Sequence, residues 1–233
     1  MESYKKEHST LTRVRPLPVN VIQALDTAAQ GTTPRNTAIS NLTWVAFCLL
    51  LRHVEYCKGG TDNTHHLFRL KEVQLFIGYQ PYNAATATNN ILTQADFVSI
   101  LFTTNKNGVK ADSIRHGITR HPQGYPVAAM HFRVEYLQHN GATGNMPIPS
   151  IKIYNKWQQI RGDKITSAIK SRVRTAGSFI GFIEAGISAH SICAVVAMAL
   201  LMERVDPDNT RLVRRWRSDT MICYLHTTAK SFI

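Results

Sequence analysis

The sequence predicts an α+β fold, mainly helical, with a small antiparallel β-sheet set between two groups of helices. Three observations carry that prediction. Ile39, Leu42, Val45, Ala46, Leu49 and Leu50 recur at helical spacing, and Trp44 and Phe47 widen the apolar face enough for a buried helix. Phe97 to Thr104, rich in Val, Ile, Leu and Phe, reads as a strand. It runs into the turn Asn105-Lys106-Asn107-Gly108, whose glycine can take positive φ, and Val109 to Ile114 reads as the returning strand of a hairpin. Helical texture resumes at Pro126, and helices, a short sheet and helices again is an α+β order.

The elements follow in sequence. Residues 1–15 are polar and basic and read as a flexible arm, leaving 16–233 as one domain. Pro16-Leu17-Pro18 introduces an amphipathic helix over Val21 to Ala29, with Asn20 as its cap. Gly31-Thr32-Thr33-Pro34 breaks it, and Asn36 or Thr37 caps the buried helix, which is expected to run on to Arg52-His53-Val54-Glu55 before the Gly59-Gly60 breaker. Phe68 to Ile77 alternates loosely and reads as a strand. Pro126 to Asn140 reads as helix, Gly141 to Pro149 as a loop, and Lys164 to Gly177 as a basic helix. Gly186-Ile187-Ser188 leads into a helix from about His190 to Arg204, and Asp206-Pro207-Asp208 caps another.

Composition narrows the function. At 233 residues the chain is long enough for a substantial core, and 44% hydrophobic content is ordinary for a globular protein. Lys and Arg number 27 against 15 Asp and Glu, a formal charge of +12, which points to a polyanion, nucleic acid before a membrane surface. Cys48, Cys57, Cys193 and Cys223 form no CxxC pair, and no His/Cys cluster has metal-finger spacing. No metal, cofactor or small-molecule ligand is expected. The longest apolar run, Ala194 to Met202, is too short to span a bilayer, and the N-terminus has no signal-peptide core. The expected setting is therefore intracellular, nucleus or cytoplasm, with no membrane partner.

The densest chemistry lies in Arg214-Arg215-Trp216-Arg217-Ser218-Asp219-Thr220-Met221-Ile222-Cys223-Tyr224. A phenol near several cations can attack a phosphodiester, because the cations offset charge that builds on phosphorus. Three further segments bear on it: Leu50-Leu51-Arg52-His53-Val54-Glu55-Tyr56, Thr103 to Gly108 around Lys106, and Ser188-Ala189-His190-Ser191-Ile192-Cys193; in and just before the run, Val213 to Ser218 and Tyr224 count as separate motifs. Read singly each is ordinary. Arg52 alone is a helix C-terminal charge, Lys106 a turn lysine with Lys110 as rival, His190 a helix-start residue and Glu55 a solubilising acid.

Together and in this order, these segments resemble the catalytic domain of the tyrosine recombinases, the phage-integrase superfamily, and most nearly those of DIRS-like and Crypton-like eukaryotic mobile elements. The resemblance covers roughly residues 10 to 230. It implies metal-independent breakage and rejoining of double-stranded DNA, with Tyr224 as nucleophile forming a 3′-phosphotyrosyl link. It gives Arg52 the scissile phosphate, Glu55 the orientation of Arg52 or the neighbouring backbone, Lys106 the role of general acid and His190 a part in proton transfer. Arg215, nine residues before Tyr224, and Trp216, by residue type, compete for the place beside the phosphate. Lys110, Arg214 and Arg217 join Arg52 and Lys106 as DNA-binding candidates. The resemblance also implies a homo-oligomer on DNA, the tetrameric synapse. The separate core-binding domain that usually precedes the catalytic domain is not expected in the short stretch before the Arg52 helix.

The sequence departs from the pattern at Cys193, where an arginine is expected three residues after His190. Cysteine has no fixed charge and a weak donor. Loss of one preorganised donor to a developing oxyanion costs about 2.7–4 kcal/mol, roughly 10²–10³ in rate. Val195-Val196 replaces small residues, and Arg214 replaces a glycine. The expectation is recombinase ancestry with impaired catalysis. The alternative is a noncatalytic DNA-binding module derived from a mobile element.

Overall fold

A computed structural model describes residues 17, 19–59, 67–102, 112–118, 126–176, 184–192 and 194–195. Helix α1 (Val19–Ala29) buries Val21, Ile22, Leu25 and Ala29, a stripe at helical spacing. Its start includes Asn20 in the helix rather than at the cap. Gly31, at φ 67°, turns the chain out of it.

Helix α2 (Pro34–Cys48) is the centre of the molecule. Thr33 caps it, its hydroxyl accepting the N–H of Asn36 at 3.3 Å, and Pro34 takes the first helical position. The cap therefore lies three residues before Asn36, because Thr33 supplies the acceptor and proline needs no N–H partner there. Every residue from Ala38 to Ala46 is buried. Two of the polar ones have clear partners: the Ser40 hydroxyl donates to Asp26 on α1 at 2.6 Å, and the Thr43 hydroxyl to the Ile39 carbonyl at 2.8 Å.

Helix α2 ends at Cys48, four residues before Arg52. The Leu51 N–H returns to the Ala46 carbonyl at 2.9 Å, with Leu50 at φ 55° between them. That is a left-handed helix stop with leucine where glycine is usual. Leu51 is fully buried and Leu50 nearly so, so apolar anchoring holds the unfavourable turn. The expected continuous helix through Glu55 is thus two elements, and α3 (His53–Tyr56) is a separate short helix.

The sheet has the order β2-β1-β3-β4, all antiparallel, from β1 (Val73–Ile77), β2 (Gln80–Asn83), β3 (Phe97–Phe102) and β4 (Asp112–Gly117). A six-residue helix, α4 (Asn89–Gln94), joins β2 to β3. Strands β3 and β4 pair from Phe97↔Gly117 to Phe102↔Asp112, as the two arms of a hairpin should. The strand expected from Phe68 begins only at Val73, because Leu70–Glu72 forms a single 3₁₀ turn. Val73, Leu75, Val98, Ile100 and Phe102 face the core.

Helix α5 (Pro126–His139) packs on α2 and the sheet, and the hairpin of β5 (Ser150–Ile153) and β6 (Lys156–Gln159) follows. Arg133 of α5 is 1% exposed and donates to the carbonyls of Ile148 at 2.7 Å and Ser150 at 2.6 Å, pinning the loop before β5. Burial lowers its pKa to about 10, so it remains charged at neutral pH. Helix α6 (Gly162–Ala176) buries Ile165, Ile169 and Val173 against α1 and α2. The order is α+β, mainly helical, with a small antiparallel sheet. None of the described helices is long and apolar enough to cross a membrane.

Candidate nucleic-acid interface

The stop at Leu50 determines how Arg52 is presented. Arg52 is extended, at φ −72° and ψ 149°, and stands at the N-cap of α3. Reading it as a C-terminal helix charge is therefore corrected: it precedes a helix rather than ending one. Its backbone N–H donates to Glu55 Oε2 at 2.8 Å, and the Glu55 N–H donates to the Arg52 carbonyl at 2.9 Å. This reciprocal pair fixes the turn. Glu55 is 5% exposed, so its carboxylate serves the interior.

His190 arrives from the other end of the chain. Ser188 opens its segment, with the Ser188 hydroxyl accepting the His190 N–H at 3.2 Å and the Ser191 hydroxyl accepting the Ser188 N–H at 3.0 Å. Two helical residues follow on each side of position 193. The peptide of Ala189 is gripped from both sides. The buried Tyr56 hydroxyl donates to its carbonyl at 2.9 Å, and its N–H donates to the Thr166 hydroxyl on α6 at 3.1 Å. The His190 ring lies over the His53 ring, with centroids 3.8 Å apart and planes tilted by 38°. One face of the His190 ring is covered while the residue keeps an exposed flank. Loss of water from that face lowers its pKa below 6.5, favouring the neutral ring at pH 7.

Beside the two rings is a surface pocket of about 200 Å³ bounded by His53, Lys58, Arg161, Asp163, Thr166 and His190. A parallel bridge between Lys58 and Arg161 builds its floor, with the Lys58 N–H on the Ile160 carbonyl at 2.8 Å and the Gly162 N–H on the Lys58 carbonyl at 3.0 Å. A Cβ at position 162 would meet Cys57 Sγ at 3.3 Å, a tight contact that the thiol could relieve only by shifting a few tenths of an ångström.

Of the residues singled out from sequence, the structure brings together the Arg52–Glu55 turn and His190. Lys106, Lys110, Cys193, Arg214, Arg215, Trp216, Arg217 and Tyr224 lie outside the described residues, as does the arm over 1–15. Three residues joined to the cluster were not singled out as site residues: His53, Tyr56 and Thr166. His53 and Tyr56 carried a signal, since they share the Arg52 segment and alternate with its structural positions. Thr166 carried none. Among the described residues no group of three or more His, Cys, Asp or Glu could hold a metal ion.

No protein-family model matches the chain, and no curated protein matches it.

Proposed function

We propose that this chain is a catalytic domain of tyrosine-recombinase descent that binds double-stranded DNA, with strand cleavage impaired by Cys193. One observation carries the reading. The Tyr56 hydroxyl meets the Ala189 carbonyl across 133 residues of sequence, holding the Arg-x-x-Glu turn against the histidine segment. The Arg-x-x-Glu segment and the histidine segment are the two stretches that this reading requires to meet, and the bond joins them. The net charge of +12 supports a polyanionic partner.

On this reading the phenol oxygen of Tyr224 attacks the phosphorus of a DNA phosphodiester, and the bond to the 5′-oxygen breaks. Neutral His190 accepts the phenolic proton and Lys106 supplies one to the leaving oxygen. The Arg52 guanidinium meets the nonbridging oxygens as charge builds on them. Arg215 or Trp216 flanks the phosphate. The guanidinium that position 193 should add is missing, which slows the step by roughly 10²–10³. The assembly is a homo-oligomer on DNA and the location nucleus or cytoplasm.

A nicked duplex that releases its cleaved end traps the covalent adduct and tests the reading. The wild type should yield little adduct, Cys193→Arg should raise it, and Tyr224→Phe in that background should abolish it. A second reading, a noncatalytic DNA-binding module, is favoured by Cys193 itself. It expects salt-dependent duplex binding and no adduct from either protein. Duplex affinity indifferent to salt, with no adduct, defeats both.

A further inference from the structure

The pocket between His53 and Arg161 shares His190 with the proposed reaction site, but Arg52 is not among its walls. Its cationic side chains are Lys58 after α3 and Arg161 before α6, and the stacked imidazoles of His53 and His190 stand beside them. Asp163 is the acid among these walls, and it takes the Arg161 Nε–H at 3.1 Å. A guanidinium carries further N–H donors beyond Nε. The Thr166 hydroxyl accepts the Ala189 N–H at 3.1 Å, which ties this wall to the histidine segment. About 200 Å³ holds roughly six waters and falls below the roughly 300–1,000 Å³ of small-molecule sites, which suits a phosphate group better than a nucleotide.

We infer that this pocket is a second phosphate subsite, in which Lys58 and Arg161 hold a backbone phosphodiester of duplex DNA next to the one facing Arg52, with the His53–His190 pair as its wall. That the phosphate belongs to duplex DNA rests on the proposed function; the affinity for phosphate does not. An anion seated there favours protonated imidazole, so occupancy would be sensed by His190 itself. Among the described residues, the charged groups that line the pocket with the ring pair are Lys58, Arg161 and Asp163.

Titration of the full-length protein with inorganic phosphate, and separately with a short duplex, tests this through the imidazole C2–H signals in NMR. Both ligands should move the His53 and His190 signals and raise the His190 pKa. Lys58→Gln with Arg161→Gln should abolish the response to phosphate. The same change should lower the slope of log affinity for duplex against log salt by about one to two. Both side chains are at the surface, and Lys58→Arg with Arg161→Lys should retain binding, which separates lost charge from misfolding. Asp163→Asn removes the competing carboxylate and should tighten phosphate binding by about two- to fivefold. Unmoved imidazole signals, or an unchanged salt slope in a folded double glutamine variant, would overturn the subsite. Failure of the recombinase reading is scored elsewhere, by the absence of a Tyr224 adduct in Cys193→Arg, and it leaves the phosphate response standing.

Discussion

The chain contains Arg-x-x-Glu twice, and the two copies fold alike. Arg52 N–H donates to Glu55 Oε2 at 2.8 Å, and Arg69 N–H donates to Glu72 Oε2 at 2.7 Å. In each, the glutamate N–H returns to the arginine carbonyl at 2.9 Å. Glu55 is 5% exposed and Glu72 4%. Their surroundings differ. The residue after Arg52 is His53, stacked on His190, and the fourth after it is Tyr56, bonded to Ala189. The corresponding residues after Arg69 are Leu70, whose N–H goes to the Met146 carbonyl at 3.0 Å, and Val73, which opens β1. The motif is therefore a device for closing a tight turn. Any chemistry at Arg52 comes from what is packed beside the turn, and the spacing alone would have nominated Arg69 equally.

The largest expected difference between the copies is in reaction rate. In the Cys193→Arg background, Arg52→Ala should lower formation of the Tyr224 adduct by about 10²–10³-fold, the usual cost of one lost donor to a developing oxyanion. Arg69→Ala should change it by about twofold or less. Equal losses would show that both arginines act only through the fold, and the distinction between the copies would fall.

Stability should treat the copies as equals. Glu55→Ala and Glu72→Ala each leave a cap N–H without its buried acceptor, at about 1–3 kcal/mol. Glutamine at either position should recover most of that loss, since its carbonyl oxygen serves the same N–H. Urea midpoints check both. A large effect at one glutamate alone would mean that the shared hydrogen bond is not what closes the turns.

Tyr56→Phe tests the strut that only the first copy has. It strands one buried carbonyl and should cost about 1–2 kcal/mol by urea denaturation. It should also shift the His190 imidazole signals in NMR, whereas Val73→Ala should leave them in place. Undisturbed His190 signals in Tyr56→Phe would show that Thr166 alone sets the ring's position.

What could be read from sequence follows from which signals are local. Helix α2 and the β3–β4 pair announced themselves because dense apolar content between breakers, and an apolar run leading into an Asn-Gly turn, are local to the segment. The stop at Leu50 did not, because a leucine at φ 55° is held there by burial, and no residue type marks it. The β5–β6 hairpin went unread for a related reason. Its turn puts Tyr154 at φ 46° and Asn155 at φ 63°, a conformation usually signalled by Asn-Gly, and tyrosine hides it. Strand β2 was missed because Pro81 argues against a strand, yet β2 is at a sheet edge, where a missing N–H costs little. At the site, Arg52, Glu55 and His190 were legible through the order of the motifs. The contacts of Tyr56 and Thr166 with Ala189 were not, since they depend on how α3 and α6 come to lie against the same peptide.

The smallest expected effect concerns pH, and it sharpens the contrast of His53 with Leu70. A histidine whose folded pKa lies below its unfolded value of about 6.5 binds protons more readily in the unfolded chain. Its contribution is whole above that value. It is lost as pH falls from about 6.5 through the lowered folded pKa, and below that it levels off. The difference in urea midpoint between pH 7.5 and pH 5.5 should therefore be smaller in His190→Gln than in the wild type. His53→Ala removes the covering ring from one face of His190 and should move its pKa back toward the ordinary value by NMR. If the His190 titration is unchanged in His53→Ala, the covering ring is not what keeps water from it, and the lowered pKa has another source of burial.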